Sequence, residues 1–308
     1  MKMLSSRFFL IIEGLKKMVC SYSPLRYPGG KTALYGKIKE IFEKNGLNGC
    51  SYREPFAGGG GLALKLLLNG DVKDIYINDI DPFIWSFWHC VLYKTEELIE
   101  KINTTTINLE EWYKQKEISP EKADVLAVGF AALFLNRTNR SGIIKNAGPI
   151  GGKEQTGNYK IDCRFNKENL IGRIRNISAK KDRIYLTQLD AQEFLLRYGS
   201  TDKDKNIFLY IDPPYFKKGK GLYTSFYKTK DHHHLENIIS KHVNALWLIT
   251  YDNAEEVKFL YSQYPKVEFN IRYSLQNKRK AQELMIFSPK IKIPQSLEQN
   301  ILSLCNAA

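Results

Sequence analysis

The residues Asp212-Pro213-Pro214-Tyr215 follow the apolar run Asn206-Ile207-Phe208-Leu209-Tyr210-Ile211. The run predicts a buried strand, and two consecutive prolines can neither donate to a sheet ladder nor carry the chain on into a helix. The chain must therefore turn out of the sheet there. An acid, a rigid pair of prolines and an aromatic ring are left together at the carboxyl end of a strand, where open α/β sheets bind their ligands. This set suits chemistry on the exocyclic amine of adenine or cytosine, a poor nucleophile because its lone pair is delocalised into the ring. The Asp212 carboxylate would accept one amine hydrogen and the Pro213 carbonyl the other, localising the lone pair for attack, while Tyr215 stacks on the base. An isolated D-P-P-Y serves equally well as a strand cap with a proline turn, so the elements around it have to decide.

Those elements alternate between strand and helix. A P-G-G turn in Leu25-Arg26-Tyr27-Pro28-Gly29-Gly30-Lys31 precedes the helical pattern Leu34, Ile38, Ile41 and Phe42. Lys31 at the mouth of that helix could meet a carboxylate, and Tyr27 could pack on an aromatic ring. Ser51 to Phe56 ends a short strand, and Ala57-Gly58-Gly59-Gly60-Gly61 leads into the strong helix former Leu62 to Leu68. Strand, glycine loop and helix open a nucleotide-binding doubly wound fold, but the spacing is that of neither G-x-G-x-x-G nor a phosphate loop. Bare backbone there suits a bulky ligand such as an amino-acid moiety. A second strand, Asp74 to Asn78, ends in Asp79, where such sheets place the acceptor for a ribose hydroxyl. Asp81 competes for that role, although Asp81-Pro82 reads better as an N-cap with proline at the first helical position.

Residues 94 to 135 carry helical patterns and read as scaffold. Between Asn136 and Arg183 the composition turns basic, with Arg137, Arg140, Lys145, Lys153 and Lys160 in its glycine-rich first part. Such a segment suits the backbone and major groove of double-stranded DNA better than it suits a core. The sheet resumes at Arg183 to Thr187, followed by Asp190 and Ala191 at a strand end. After the central motif, Lys217, Lys218 and Lys220 with Tyr223, Phe226 and Tyr227 form a basic, aromatic loop. His232, His233 and His234 fan around a helix start and share no face, so no metal site is predicted. Ala245 to Thr250 is another buried strand. Val267 to Tyr273 and Glu283 to Phe287 read as a hairpin at the sheet edge.

A length of 308 residues and 43% apolar content support a sizeable core, and a formal charge of +13 favours a polyanionic partner. Five scattered cysteines form neither a C-x-x-C pair nor a disulfide framework, which fits a reducing cytoplasm. Residues 1–20 read as a short N-terminal extension, and no run is long enough to span a bilayer.

Taken together, L-R-Y-P-G-G-K, E-P-F-A-G-G-G-G, I-N-D-I-D and D-P-P-Y, in this order and with a basic insertion before the last, resemble the Dam-like family of DNA adenine-N6 methyltransferases. The resemblance implies a Rossmann-like α/β core with a seven-stranded mixed sheet, and S-adenosyl-L-methionine (AdoMet) as methyl donor. It divides the chain into core at 21–102, a helical and basic target-recognition insertion at 103–182, the catalytic part of the core at 183–290 and a tail at 291–308. By motif position, Tyr27 and Lys31 match residues at the methionine end of the cofactor. Phe56, Ala57 and Gly58 match its glycine loop, Asp79 the ribose acid, Asp190 and Ala191 the neighbourhood of its adenine, and Asp212 to Tyr215 the catalytic tetrad. The segment Leu135 to Gly142 resembles the start of the family's recognition region, while Gly148-Pro149-Ile150-Gly151-Gly152 differs from the form in GATC-recognising members. The resemblance also raises a cognate restriction endonuclease as a partner. An RNA or cytosine-amine methyltransferase would share the core, and a catalytically silent DNA-binding relative would share the fold.

Overall fold

The computed structural model describes residues 22–26, 31–200, 206–216, 227–272, 280–298 and 301–302. Tyr27, the extension at 1–20 and the lysines and aromatics of 217–226 lie outside the described residues.

The continuous apolar run becomes the central strand β4 (Ile207–Ile211), and β4 and its neighbour β1 (Cys50–Glu54), which carries Ser51, Arg53 and Glu54 as well as apolar residues, are buried along their whole length. Around them lie β2 (Val72–Asn78), β3 (Ile184–Thr187), β5 (Leu246–Asp252), β6 (Lys266–Arg272), β7 (Lys280–Phe287) and the two-residue β8 (Ile301–Leu302). The sheet order is β3-β2-β1-β4-β5-β7-β6-β8, parallel from β3 to β5, with β7 antiparallel to both its neighbours. Seven main strands form the mixed sheet, and β8 adds a short edge against β6. The 266–287 hairpin closes this end of the sheet, with β7 between β5 and β6 and β8 along part of the outer side of β6. β5 ends in a parallel sheet with one free side, and the antiparallel β7 satisfies that side's backbone groups.

Side chains alternate between two cores, as strand geometry requires. Phe208 and Tyr210 join one with the helices Tyr35–Asn45, Gly61–Leu68 and Pro82–Tyr93, whereas Leu209 and Ile211 join the other with Ala191–Tyr198 and Thr229–His242. The helix Val125–Thr138 is buried through most of its length and lies against Pro82–Tyr93. The crossing is close because Gly129 has no side chain: a Cβ there would stand 2.6 Å from the Ser86 carbonyl oxygen and 2.7 Å from Cys90 Sγ. Among the described residues no helix is long and apolar enough to cross a membrane.

The strand order reverses between β1 and β4, since β2 and β3 succeed β1 on one side while β5 follows β4 on the other. A doubly wound sheet opens its ligand crevice at the carboxyl ends of the strands on either side of such a reversal. Glu54 ends β1 and Asp212 follows β4, so the fold delivers both acids to one place.

Candidate active site

Asp212 is held from two sides. Its Oδ1 accepts from Thr250 Oγ1 at 2.7 Å, and its Oδ2 from Lys31 Nζ at 2.9 Å. Thr250 reaches it because Ile211 pairs with Ile249 across β4 and β5, which sets the next residue of each strand side by side. Thr250 in turn shares a hydrogen bond with Tyr210 at 2.9 Å. Lys31, in the single turn Lys31–Leu34, also donates to the Tyr215 hydroxyl at 3.1 Å, and that hydroxyl donates to Glu283 on β7. Lys31 Nζ lies 3.9 Å from the second oxygen of Glu283. Asp212 has the most exposed side chain of the three charged groups, 20% against 3% for Lys31 and 1% for Glu283. An incoming group therefore reaches Asp212 first.

Three carboxyl groups crowd one ammonium here. Burial, then the neighbouring Asp212, drive the Glu54 carboxyl well above the usual range, with Lys31 opposing. Burial pushes Glu283 up to about 7, against the pull of Lys31. Glu54 Oε2 is buried and has no hydrogen-bond partner among the described residues. The turn after Tyr215 is pinned by Asp252, whose Oδ1 accepts from Phe216 N at 2.8 Å. Buried His232 packs on Phe216 and shares a hydrogen bond with Tyr251 at 2.8 Å, and burial lowers its pKa to about 4, so it stays neutral.

Along the crevice, Asn78 joins three strand ends: its amide donates to the carbonyls of Pro55 and Leu189, and its oxygen accepts from Leu189 N and Thr187 Oγ1. Asp79, half-buried beside it, accepts from Gly58 N at 2.8 Å and from Asp81 N at 2.9 Å. Burial raises it to about 7 while these two donors hold it lower. Asp81 is the N-cap of Pro82–Tyr93, accepting from Phe83 N at 2.8 Å. The glycine loop divides into two kinds. At Gly60 a Cβ would meet the Trp88 ring at 3.3 Å, and at Gly61 it would strike Thr32 Oγ1 at 2.6 Å, so those two glycines accommodate protein. Gly58, at φ 47°, gives its N–H to Asp79 and its carbonyl to Trp88 Nε1. Asp190 is exposed and caps the helix Ala191–Tyr198 through Gln192 N at 2.8 Å; Ala191 is buried.

The site contains what AdoMet would need. Beyond its two backbone donors, Asp79 has lone pairs at a strand end that could accept from hydroxyls, and the buried Glu54 oxygen without a partner among the described residues would suit an ammonium group. Among the described residues no cluster could hold a metal ion, and Cys50, Cys90 and Cys163 form no disulfide.

The basic segment is a built loop. Asn136 donates to the carbonyls of Arg26 and Gly142, while Asn139 accepts from Trp112 Nε1 at 2.6 Å and donates to the carbonyls of Ile143 and Ile144. Gln155, in the left-handed region at φ 50°, ties Ile150, Gly152 and Ile161 together. Arg140, Lys145, Lys153 and Lys160 are exposed on it. Arg137 departs from the expectation of a DNA contact. It donates through two nitrogens to the Pro24 carbonyl, and burial with the nearby Arg173, Arg26 and Arg164 lowers its pKa to about 9. Its helix faces the segment before Tyr27, so Arg137 clamps that segment.

Sequence reading missed Thr250, Glu283 and the buried acceptor Glu54. Glu283 left the clearest signal, an acid directly before the apolar run Leu284-Met285-Ile286-Phe287. The partner of Lys31 was invisible because Asp212 lies 181 residues further on.

Type II methyltransferase M.MjaIII of Methanocaldococcus jannaschii is 28% identical over 219 residues, 66% of this chain and 73% of that protein. Among solved structures, Pyrococcus horikoshii PH1948 aligns at a TM-score of 0.38 and 10% identity, covering 82% of each chain. The rRNA methyltransferase aviRa from Streptomyces viridochromogenes aligns at 0.35 and 11% identity, covering 85% of this chain and 86% of its own. Residues 27–280 match the model of the D12 class N6 adenine-specific DNA methyltransferases. With that match covering most of its length, the chain belongs to the D12 class of N6 adenine-specific DNA methyltransferases and is an AdoMet-dependent enzyme that methylates adenine in DNA.

Proposed function

We propose that Asp212 and Pro213 orient the exocyclic amine of an adenine turned out of the duplex, and that the methyl group passes to it directly, with no covalent enzyme intermediate. AdoMet, when bound, supplies the methyl group on a positively charged sulfur. The Asp212 carboxylate accepts one amine hydrogen and the Pro213 carbonyl the other, so the lone pair is freed along the line of attack. Pro214 keeps the turn rigid, and Tyr215, anchored through its hydroxyl, stacks on the base. The observation that carries this reading is the hold on Asp212, an acceptor open to solvent whose two oxygens are fixed by Thr250 and Lys31. DNA treated with the protein and labelled AdoMet, then digested to nucleosides, should carry the label on N6-methyladenine. Label on cytosine, or on RNA alone, would refute it.

Phe56, Ala57 and Gly58 line the cofactor side, Asp79 takes the ribose hydroxyls, Glu54 takes the ammonium, and Asp190 and Ala191 border the adenine. Asp79→Ala is expected to weaken AdoMet binding on the order of 1–3 kcal/mol, the worth of a charge-assisted hydrogen bond. Calorimetry on the folded variant checks it, and unchanged affinity would remove Asp79 from the site. Because the parental group titrates at about 7, AdoMet affinity should also fall as pH drops from 8 to 6.

DNA is held by the loop that follows Val125–Thr138, through Arg140, Lys145, Lys153 and Lys160. Neutral replacements of Lys145, Lys153 and Lys160 together should lower DNA affinity and flatten its salt dependence by up to about one unit of logarithmic slope per lost phosphate contact. AdoMet binding should not change. A salt slope equal to the parent's would reduce the loop to a solvated surface. Because M.MjaIII is a Type II methyltransferase, a cognate restriction endonuclease is the partner we infer, and a reducing cytoplasm the compartment. DNA from expressing cells should then resist one endonuclease.

A further inference from the structure

The geometry points to Glu283 as a positioning residue, the second carboxylate to which Lys31 shifts when the base amine arrives at Asp212. This rests on the reading that Asp212 receives the amine. In the structure Lys31 occupies Asp212 Oδ2 at 2.9 Å and Thr250 occupies Oδ1 at 2.7 Å. The acceptor that the amine requires is thus already engaged. The conflict is electrostatic as well as steric: the amine nitrogen becomes positive as it takes the methyl group, and an ammonium on the same carboxylate oxygen opposes that charge.

Glu283 resolves the conflict. Its second oxygen is 3.9 Å from Lys31 Nζ, so a movement of about 1 Å reaches charge-assisted hydrogen-bond distance. Tyr215 guides the movement, since its hydroxyl accepts from Lys31 at 3.1 Å and donates to the first oxygen of Glu283. With Lys31 on Glu283, the Asp212 charge is left to the amine and to the proton that the amine sheds after transfer. The atoms balance without a further reactant: nitrogen gains the methyl group, sulfur keeps the electron pair of the broken bond, and one N–H proton leaves by way of Asp212 to water.

The topology supports the assignment. Glu283 pairs with Asp252 across β5 and with Phe269 across β6, and β7 runs antiparallel, which sets an early residue of β7 level with the carboxyl ends of β4 and β5. Among the described residues, the groups that bear on its charge are Lys31 from the first turn, Asp212 and Tyr215 after β4, Tyr210 within β4 and Asp252 at the end of β5; Phe269 is apolar. Glu283 titrates at about 7, so below that pH it is neutral and leaves Lys31 on Asp212, and above it the carboxylate competes for the ammonium.

The test is the single-turnover rate of methyl transfer to DNA at saturating AdoMet, where ionisation of Asp79 no longer limits binding. The parental rate should rise about tenfold between pH 6 and 8, as one group titrating near neutrality requires. Glu283→Gln keeps an acceptor for Tyr215 but cannot become charged. It should be flat across that range, about tenfold slower than the parent at pH 8, with AdoMet and DNA affinities within about twofold. Glu283→Asp should restore the rise with pH. A Glu283→Gln protein with the parental rate at pH 8 and the parental pH profile overturns the inference. Should that variant fail to fold, a parental rate that does not rise between pH 6 and 8 overturns it equally. Asp212→Ala measured alongside separates the two readings: loss of transfer there with a parental Glu283→Gln profile rejects only the role of Glu283, whereas parental transfer in Asp212→Ala rejects the assignment of Asp212 itself.

Discussion

Asp212→Ala is expected to lower single-turnover methyl transfer by at least about a hundredfold, the usual scale for losing one preorganised electrostatic group. Two effects add. The amine loses the acceptor that localises its lone pair, and the positive charge that develops on its nitrogen loses the carboxylate that would offset it. Stability should fall much less, because Asp212 is the most exposed of the charged cluster and Lys31 retains Tyr215 and Glu283 within reach. Rapid-quench transfer, with thermal unfolding and binding of AdoMet and DNA measured on the same preparation, decides it. A folded variant that binds both and methylates at the parental rate would sink the mechanism.

Lys31→Met should act in the opposite proportion, with its larger effect on folding. Removing one partner of a buried ion pair typically costs about 3–5 kcal/mol, since the other charge is left without compensation. Here the ammonium is 3% exposed and serves Asp212 directly, with Glu283 close by and Glu54 under its influence. The pH dependence has a definite sign. Without Lys31 the Glu54 and Glu283 carboxyl groups titrate still higher in the folded protein, Glu283 from a parental value already at about 7, while the unfolded chain ionises them at about 4. Acids raised in the folded state bind protons on folding. The deficit of Lys31→Met is therefore small at pH 4 to 5 and grows as pH rises through 7. Urea unfolding of parent and variant at pH 5 and pH 8 measures it, and an equal gap at both values would contradict the shared-cation account.

Much of the machinery was legible because it is local. The run ending at Ile211 is apolar at every position, and the prolines after Asp212 force the turn, so Asp212 could be placed at a strand end from neighbouring residues alone. The same holds for Asp81-Pro82 as a helix cap, for Asp79 at the end of β2, and for the exposed lysines of the basic loop. Each depends on spacing or propensity within a few residues. The tertiary structure decided whatever depends on which distant segments meet. Arg137 looked like its basic neighbours until its helix turned it onto Pro24, and two of the loop glycines proved to make room for Trp88 and Thr32. Lys31 finds Asp212 across 181 residues, and Glu283 enters the site only because β7 inserts antiparallel between β5 and β6. A strand's alternation says which residues share a face, but strand order and direction are set by pairing across the whole sheet, and in this protein that pairing brings the carboxyl groups around one ammonium.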